Sequence, residues 1–427
     1  MIEAFRYEDE ELVCEGVALR DLAASVGTPT YVYSRRAMCD RLREFQRAFT
    51  GQDALFCYAL KANSNLAVIR ALANEGAGAD TVSMGEIKRA LAAGVPPQKI
   101  VFAGIAKTDE EIAFALGAGI LQLNAESVPE LERVSAIASA SGHTAPVALR
   151  VNPDVEAGTH EKISTGRRHD KFGVAHDEVP AILDHARTLP GIALVGLHMH
   201  IGSQITDTAP FEQAYGRGIA LFRAMREAGH RLERLDLGGG FGVRYRNEQS
   251  FDATAFAALV ARLTEGLDCR LLFEPGRALV AEAGVLLSSV IYRKVTRDRQ
   301  FLVLDAGMNT LIRPAMYDAF HEVVPVRRTG EERLAVDVVG PICESSDVFG
   351  RGRLLPPLDA GDLVVLQSAG AYGAVMASDY NSRPGPAEVL VDEGRWAIVR
   401  PRRNAEEQFA DERIPPWLAG LEKTSVG

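Results

Sequence analysis

Four short stretches of this chain hold residues whose types and spacing can do chemistry. Tyr58-Ala59-Leu60-Lys61-Ala62-Asn63 carries a lysine out of an apolar run. Desolvation there lowers the amine's pKa and makes it available for Schiff-base chemistry. Taken alone, a lysine that buries its stem and keeps its ammonium in water is the commoner arrangement. Asp236-Leu237-Gly238-Gly239-Gly240-Phe241-Gly242 offers glycines whose backbone N–H groups can converge on an anion. A glycine triplet by itself is more often a turn. Glu274-Pro275-Gly276-Arg277 adds a second glycine loop and an arginine, and the two loops together favour a phosphorylated cofactor. In His198-Met199-His200-Ile201-Gly202-Ser203 the His-x-His spacing puts two rings on one face of a strand, which raises the question of a metal. No third His or clear carboxylate is evident at a neighbouring strand end, so no metal is expected. His200 reads as a ring stacked on a planar cofactor, and His198 as packed support behind it.

These stretches need a scaffold that gathers them. From Leu55 to Glu274 there are eight apolar runs: LFCYAL, GAGADTV, IVFAG, ILQLNA, PVALRVN, LVGLHMH, LERLDLG and RLLFEPG. Most precede a segment with apolar residues at helical spacing, as in SMGEIKRALAAGV and SVPELERVSAIASASG. Near-continuous apolar strands alternating with helices predict a parallel sheet covered on its outside, and eight units fit a closed (β/α)8 barrel. In such a barrel, chemistry sits at the C-terminal strand ends, and phosphate binds after strands seven and eight. The four stretches end strands one, six, seven and eight. The long polar insertion between strands five and six, residues 153–173, reads as a lid or binding loop. After Ala278, runs such as VLLSSVIYRKV, LAVDVVG and EVLVDEG, punctuated by Gly, Pro and Asp, predict a mostly antiparallel β domain. Glu11 to Leu19 is expected to add an N-terminal strand. The expected division is an α/β barrel over residues 25–277 and a β domain over 1–24 and 278–427.

Composition narrows the class. The 427 residues are 47% hydrophobic and 24% charged, enough for a large core. Lys and Arg number 47 against 57 Asp and Glu, so the net charge is 47 − 57 = −10, which argues against nucleic acid or an anionic membrane as partner. The acidic N-terminus and the lack of a long apolar run point to neither export nor a membrane span. Five scattered cysteines without a CxxC pair read as reduced thiols, and a cytoplasmic location is expected.

In their order along the chain, these motifs resemble the pyridoxal-phosphate-dependent decarboxylases of the alanine-racemase-like fold (fold type III). The resemblance extends through Asp305-Ala306-Gly307-Met308-Asn309, Arg313-Pro314-Ala315-Met316-Tyr317, Gly340-Pro341-Ile342-Cys343-Glu344-Ser345 and Gly370-Ala371-Tyr372-Gly373. Within the group, Ser164-Thr165-Gly166, Lys171-Phe172-Gly173 and Arg313 to Tyr317 look like the diaminopimelate decarboxylases. The resemblance implies that Lys61 holds pyridoxal 5'-phosphate (PLP) covalently, His200 stacks on its ring, and Glu274 pairs with the ring nitrogen. Gly240 and the Gly276-Arg277 backbone cradle the phosphate, helped by Ser203 and the Tyr372 hydroxyl, and Cys343 returns a proton to carbon after CO2 leaves. It also implies a homodimer with shared active sites.

For a meso-diaminopimelate substrate, Arg277, Arg313 and Tyr317 suit the distal carboxylate and Glu344 the distal ammonium, with Tyr372 nearby. Each residue has a plainer use: Arg313 and Glu344 as a surface ion pair, Tyr317 and Tyr372 as packed aromatics, Cys343 as a buried thiol. The competing activities are decarboxylation of another basic amino acid or a carboxylated polyamine, an alanine-racemase-type isomerisation, and a non-catalytic PLP carrier. A lone ammonium would be repelled by two arginines, a racemase has no need of Cys343-Glu344, and a carrier would be a barrel alone.

Overall fold

A computed structural model describes residues 4–155, 171–330 and 332–418. The eight expected barrel strands are present: β1 (Ala54–Ala59), β2 (Gly78–Thr81), β3 (Ile100–Phe102), β4 (Gln122–Ala125), β5 (Ala145–Asn152), β6 (Ile192–His198), β7 (Arg234–Asp236) and β8 (Arg270–Phe273). All pair in parallel, and β8 returns to β1 with Leu271 opposite Ala54, so the sheet closes. Outer helices begin where the sequence supplies caps. Ser34, Ser83 and Asp252 each accept a backbone N–H, and Thr108 and Glu111 form a reciprocal capping box.

A phenylalanine cluster fixes the side of the barrel that carries the glycine loop. Phe241, directly after Gly240, lies 5.0–5.6 Å from the rings of Phe45, Phe211, Phe251 and Phe256, and Phe49 and Phe56 pack on Phe273 of β8. Truncating one such buried ring costs about 3–5 kcal/mol. The loop after β7 is therefore anchored by its own apolar neighbour.

The second domain is a nine-stranded, mostly antiparallel sheet built on the long strand Gly284–Val295. Thr30–Ser34 pairs with that strand and with Ala387–Asp392, so the boundary drawn by the sheets falls near residue 35 rather than 25. The N-terminal segment forms its own three-stranded sheet, Phe5–Glu8, Glu11–Cys14 and Val17–Ala18. It is joined to the second domain by the Leu12 N–H to the Val326 carbonyl at 2.7 Å, and Phe5, Leu12 and Cys14 share a core with Val285 and Val365. Among the described residues, no helix is long and apolar enough to cross a membrane.

Candidate active site

A cavity of about 740 Å³ opens at the C-terminal ends of the barrel strands, against the second domain. Lys61, His198, His200, Ser203, Gly240, Glu274, Gly276, Arg277, Arg313, Tyr317 and Tyr372 all line it. The turn Leu60–Ala62 that carries Lys61 is bonded across the domain junction: the Tyr372 N–H donates to the Ala62 carbonyl at 2.7 Å, and Asn63 Nδ2 to the Gly370 carbonyl at 3.1 Å.

Lys61 Nζ donates to Asp80 Oδ2 at 3.2 Å. Burial disfavours its ammonium, but Asp80, Tyr372 and Glu274 outweigh that effect and raise its pKa above the ordinary lysine range. This corrects the expectation of a lowered pKa: the amine stands beside the carboxyl groups of Asp80 and Glu274, which an apolar strand alone does not reveal. Burial, with Glu274 close by, lifts Asp80 to about 7 against the pull of Lys61.

Below the lysine, inward-facing residues of four strands form a buried polar layer. His198 Nε2 lies 3.3 Å from Glu274 Oε2, and Asn124 Nδ2 donates to Asp236 and Glu274 at 3.4 and 3.5 Å. Gln122 Nε2 and the Gly238 N–H also donate to Asp236. Burial alone would raise Glu274, but His198 and Lys61 hold its carboxyl at about 2. Burial and the Glu274 charge push Asp236 well above the carboxylate range, so this pair keeps one charge and one proton.

The view that no carboxylate stands near the histidine pair is thus corrected. His198, Asp236 and Glu274 each place a ligand-type atom within 4.8 Å of the others. Gln122, Asn124 and the Gly238 N–H also donate to the carboxylates of this trio. His200 accepts the Gly239 N–H at 3.2 Å on Nδ1. Burial, Lys61 and Arg150 drive its pKa well below the histidine range, which leaves a neutral ring beside Lys61.

The residues fit PLP. Gly240 lines the cavity with φ +104°, and a Cβ there would meet the Gly202 carbonyl oxygen at 2.4 Å, so only glycine lets the loops after β6 and β7 close together around the cavity. Arg277 is 7% exposed and donates to Ser203 Oγ at 3.0 Å and Tyr245 Oη at 2.8 Å. Arg313 is 6% exposed, its guanidinium 4.9 Å from the Tyr245 ring centre. Among the described residues, neither arginine pairs with a carboxylate.

Two expected residues are not brought to the cavity. Cys343 and Glu344 are exposed in the second domain, where the Cys343 N–H donates to Asn381 and Tyr380 Oη to Glu344 at 2.5 Å. The plainer readings of a buried Cys343 and an Arg313–Glu344 ion pair also fail. Of the insertion, Ser164-Thr165-Gly166 lies outside the described residues, whereas Phe172 lines the cavity with the Arg150 guanidinium 4.6 Å from its ring centre. Asp80, Tyr245 and His321 escaped the sequence reading. Asp80 had left a signal, a charge inside the apolar run of β2; the other two sit in unremarkable stretches.

Known proteins resemble this chain in sequence and in fold. The family described as "Pyridoxal-dependent decarboxylase, pyridoxal binding domain" matches residues 35–281. A diaminopimelate decarboxylase from Zymomonas mobilis is 46% identical over 419 residues, covering 97% of this chain and 99% of the relative. The crystal structure of diaminopimelate decarboxylase from M. jannaschii in co-complex with L-lysine superposes with a TM-score of 0.93 at 36% identity, covering 98% of this chain and 99% of that one. A lysine/ornithine decarboxylase from Vibrio vulnificus, complexed with putrescine, reaches 0.78 at 26% identity, covering 88% and 97%. With barrel, lysine, glycine cradle and arginine pair in place, this chain belongs to the diaminopimelate decarboxylase family of PLP-dependent carboxy-lyases.

Proposed function

We propose that this chain decarboxylates meso-2,6-diaminopimelate at its D-configured centre, giving L-lysine and CO2. The observation that carries the reading is the pair Arg277 and Arg313, two cations in one enclosed cavity without a carboxylate partner among the described residues. Leaving such charge unpaired is costly unless the ligand brings an anion. Arg277 and Arg313, with Tyr317, hold the carboxylate of the L-configured end, and Tyr372 closes the junction beside them.

Bound in the cradle, PLP supplies an electron sink for the bond between Cα and the departing carboxylate. The protein does the rest. Lys61 would hold the cofactor through its amine, with the neutral His200 ring beside it. Glu274, anionic beside His198, pairs with the ring nitrogen and keeps it protonated. Gly240 and the backbone of Gly276-Arg277 would bind the phosphate, with Ser203 and the Tyr372 hydroxyl, which leaves the Arg277 guanidinium to the substrate.

Cys343 gives the proton that replaces CO2 on carbon, and Glu344 receives the distal ammonium. Both are exposed here and outside the cavity, which supports a homodimer in which Cys343 and Glu344 of the partner subunit complete each barrel. The five free cysteines support a reducing, cytoplasmic setting. The test is CO2 release from meso-diaminopimelate, lysine and ornithine. Preference for either monocarboxylate would return the assignment to a basic-amino-acid decarboxylase of the same fold.

A further inference from the structure

The Arg313 guanidinium has a support that no part of the reading above employs. His321 follows the short helix Arg313–Tyr317 and is 0% exposed. Its Nδ1 lies 2.8 Å from the backbone carbonyl oxygen of Gln367, just past the strand Leu363–Leu366. A carbonyl oxygen only accepts, so Nδ1 carries the proton. Its Nε2 lies 2.9 Å from Arg313 Nη1, which only donates, so Nε2 presents its lone pair. One species satisfies both contacts: the neutral imidazole protonated on Nδ1.

A second proton would set an N–H against the guanidinium. Burial and the Arg313 charge, with smaller contributions from Arg277 and Arg353, hold its pKa down at about 3 against the hydrogen bond to the Gln367 carbonyl. The ring therefore remains an acceptor at neutral pH. Tyr245 braces the same corner, edge-on to His321 at 5.6 Å and 4.9 Å from the Arg313 guanidinium. The acceptor's neutrality matters. A carboxylate in its place would also orient Arg313 but would discharge it, and the substrate carboxylate would then meet a satisfied ion pair.

We infer that His321 is a positioning residue for recognition of the distal carboxylate: it accepts one Arg313 N–H in the tautomer that Gln367 dictates, and so aims the guanidinium into the cavity without neutralising it. This rests on the substrate reading above and adds a residue to it.

The test uses holoenzyme and two ligands that differ by that carboxylate, L-lysine, which has it, and cadaverine, which lacks it. Binding is measured by calorimetry for the parent, His321→Leu and His321→Gln, alongside kcat and KM for diaminopimelate and the cofactor absorbance. His321→Leu should weaken lysine binding and raise KM by about tenfold or more, as expected for a lost hydrogen bond to a charged group. Cadaverine binding and absorbance should stay as in the parent. His321→Gln, which keeps a neutral acceptor, should recover most of the loss. Equal lysine binding by parent and His321→Leu, equal loss of both ligands, or no recovery with Gln overturns the positioning role alone. A parent that does not turn over diaminopimelate overturns the substrate reading instead. Nitrogen-15 NMR of the parent gives a check that needs no variant: His321 should be protonated on Nδ1 at neutral pH, and the opposite tautomer overturns the inference.

Discussion

At the barrel mouth, functional side chains are braced by neighbours: Lys61 by Asp80, Glu274 by His198, and Arg277 by Ser203 and Tyr245. The loop holding Cys343 and Glu344 is built differently. Both residues are exposed; Asn381 accepts the Cys343 backbone N–H, and Tyr380 Oη donates to the Glu344 carboxylate. The contrast follows from desolvation. A charge enclosed by one chain must find its partners within that chain, whereas groups proposed to complete a partner's site can stay solvated in the single chain. Everything proposed to hold the cofactor lies in the first region, and the proton donor proposed to finish the reaction lies in the second.

The contrast is tested most severely at its two ends. Lys61→Ala should lose the borohydride-sensitive attachment of cofactor to protein, and activity should fall by about a thousandfold or more. A surviving reducible bond in the cavity would transfer that role to another amine. Cys343→Ala should be comparably inactive while retaining the parental cofactor absorbance, because its thiol is proposed to protonate the product and not to hold the cofactor. Mixing the two inactive proteins then measures the sharing directly. Random pairing makes about half the dimers mixed, each with one intact site, so about a quarter of parental activity should return. No recovery after verified subunit exchange places both halves of the site in one chain.

Arg313 sharpens the comparison at the substrate end. Arg313→Ala removes a buried cation and leaves a substrate carboxylate unpaired, a loss of about 3–5 kcal/mol. That is at least about a hundredfold in kcat/KM, each 1.36 kcal/mol being about tenfold. Cofactor absorbance should not change. Diaminopimelate turnover that survives Arg313→Ala would assign the distal carboxylate to another group.

Much of this was legible in the sequence because it is periodic. The eight barrel strands announce themselves as apolar runs, and the glycine and lysine motifs fall at their ends. Thr30–Ser34 did not announce its sheet: its five residues read equally well as an entry to the barrel, and only pairing with Gly284–Val295 decides the matter. Tyr245 and His321 were invisible because each acts through a contact across the fold, His321 with a carbonyl 46 residues away. The Lys61 pKa was misjudged for a related reason. Desolvation can be read from an apolar strand, but the carboxylates around it come from β2 and β8, which only closure of the barrel brings together.

The smallest effect tests the polar layer beneath the cofactor. Asp236 is 0% exposed and, pressed by burial and by the Glu274 charge, keeps its proton well above the ordinary carboxylate range. In the unfolded chain the same group ionises near pH 4. Above that pH the unfolded state gains from ionisation and the folded state does not, so Asp236 weakens folding progressively as pH rises, until the folded pKa is reached. Asn has nearly the same shape and no proton to lose, and the buried Gln122 Oε1, without a hydrogen-bond partner, can accept from the new amide. Asp236→Asn should therefore keep most of the activity and gain stability over the parent with increasing pH, by about 1.4 kcal/mol per unit within that window. Glu274 has the opposite sign: its depressed pKa stabilises above about pH 4.5 and that contribution is lost only as pH falls toward 2, below the range in which the two proteins are compared. Thermal unfolding of the two holoenzymes at pH 5, 6 and 7 measures the slope. A difference that is flat or falls with pH would mean that Asp236 is ionised in the folded protein, and the single charge of this layer would have to be assigned anew.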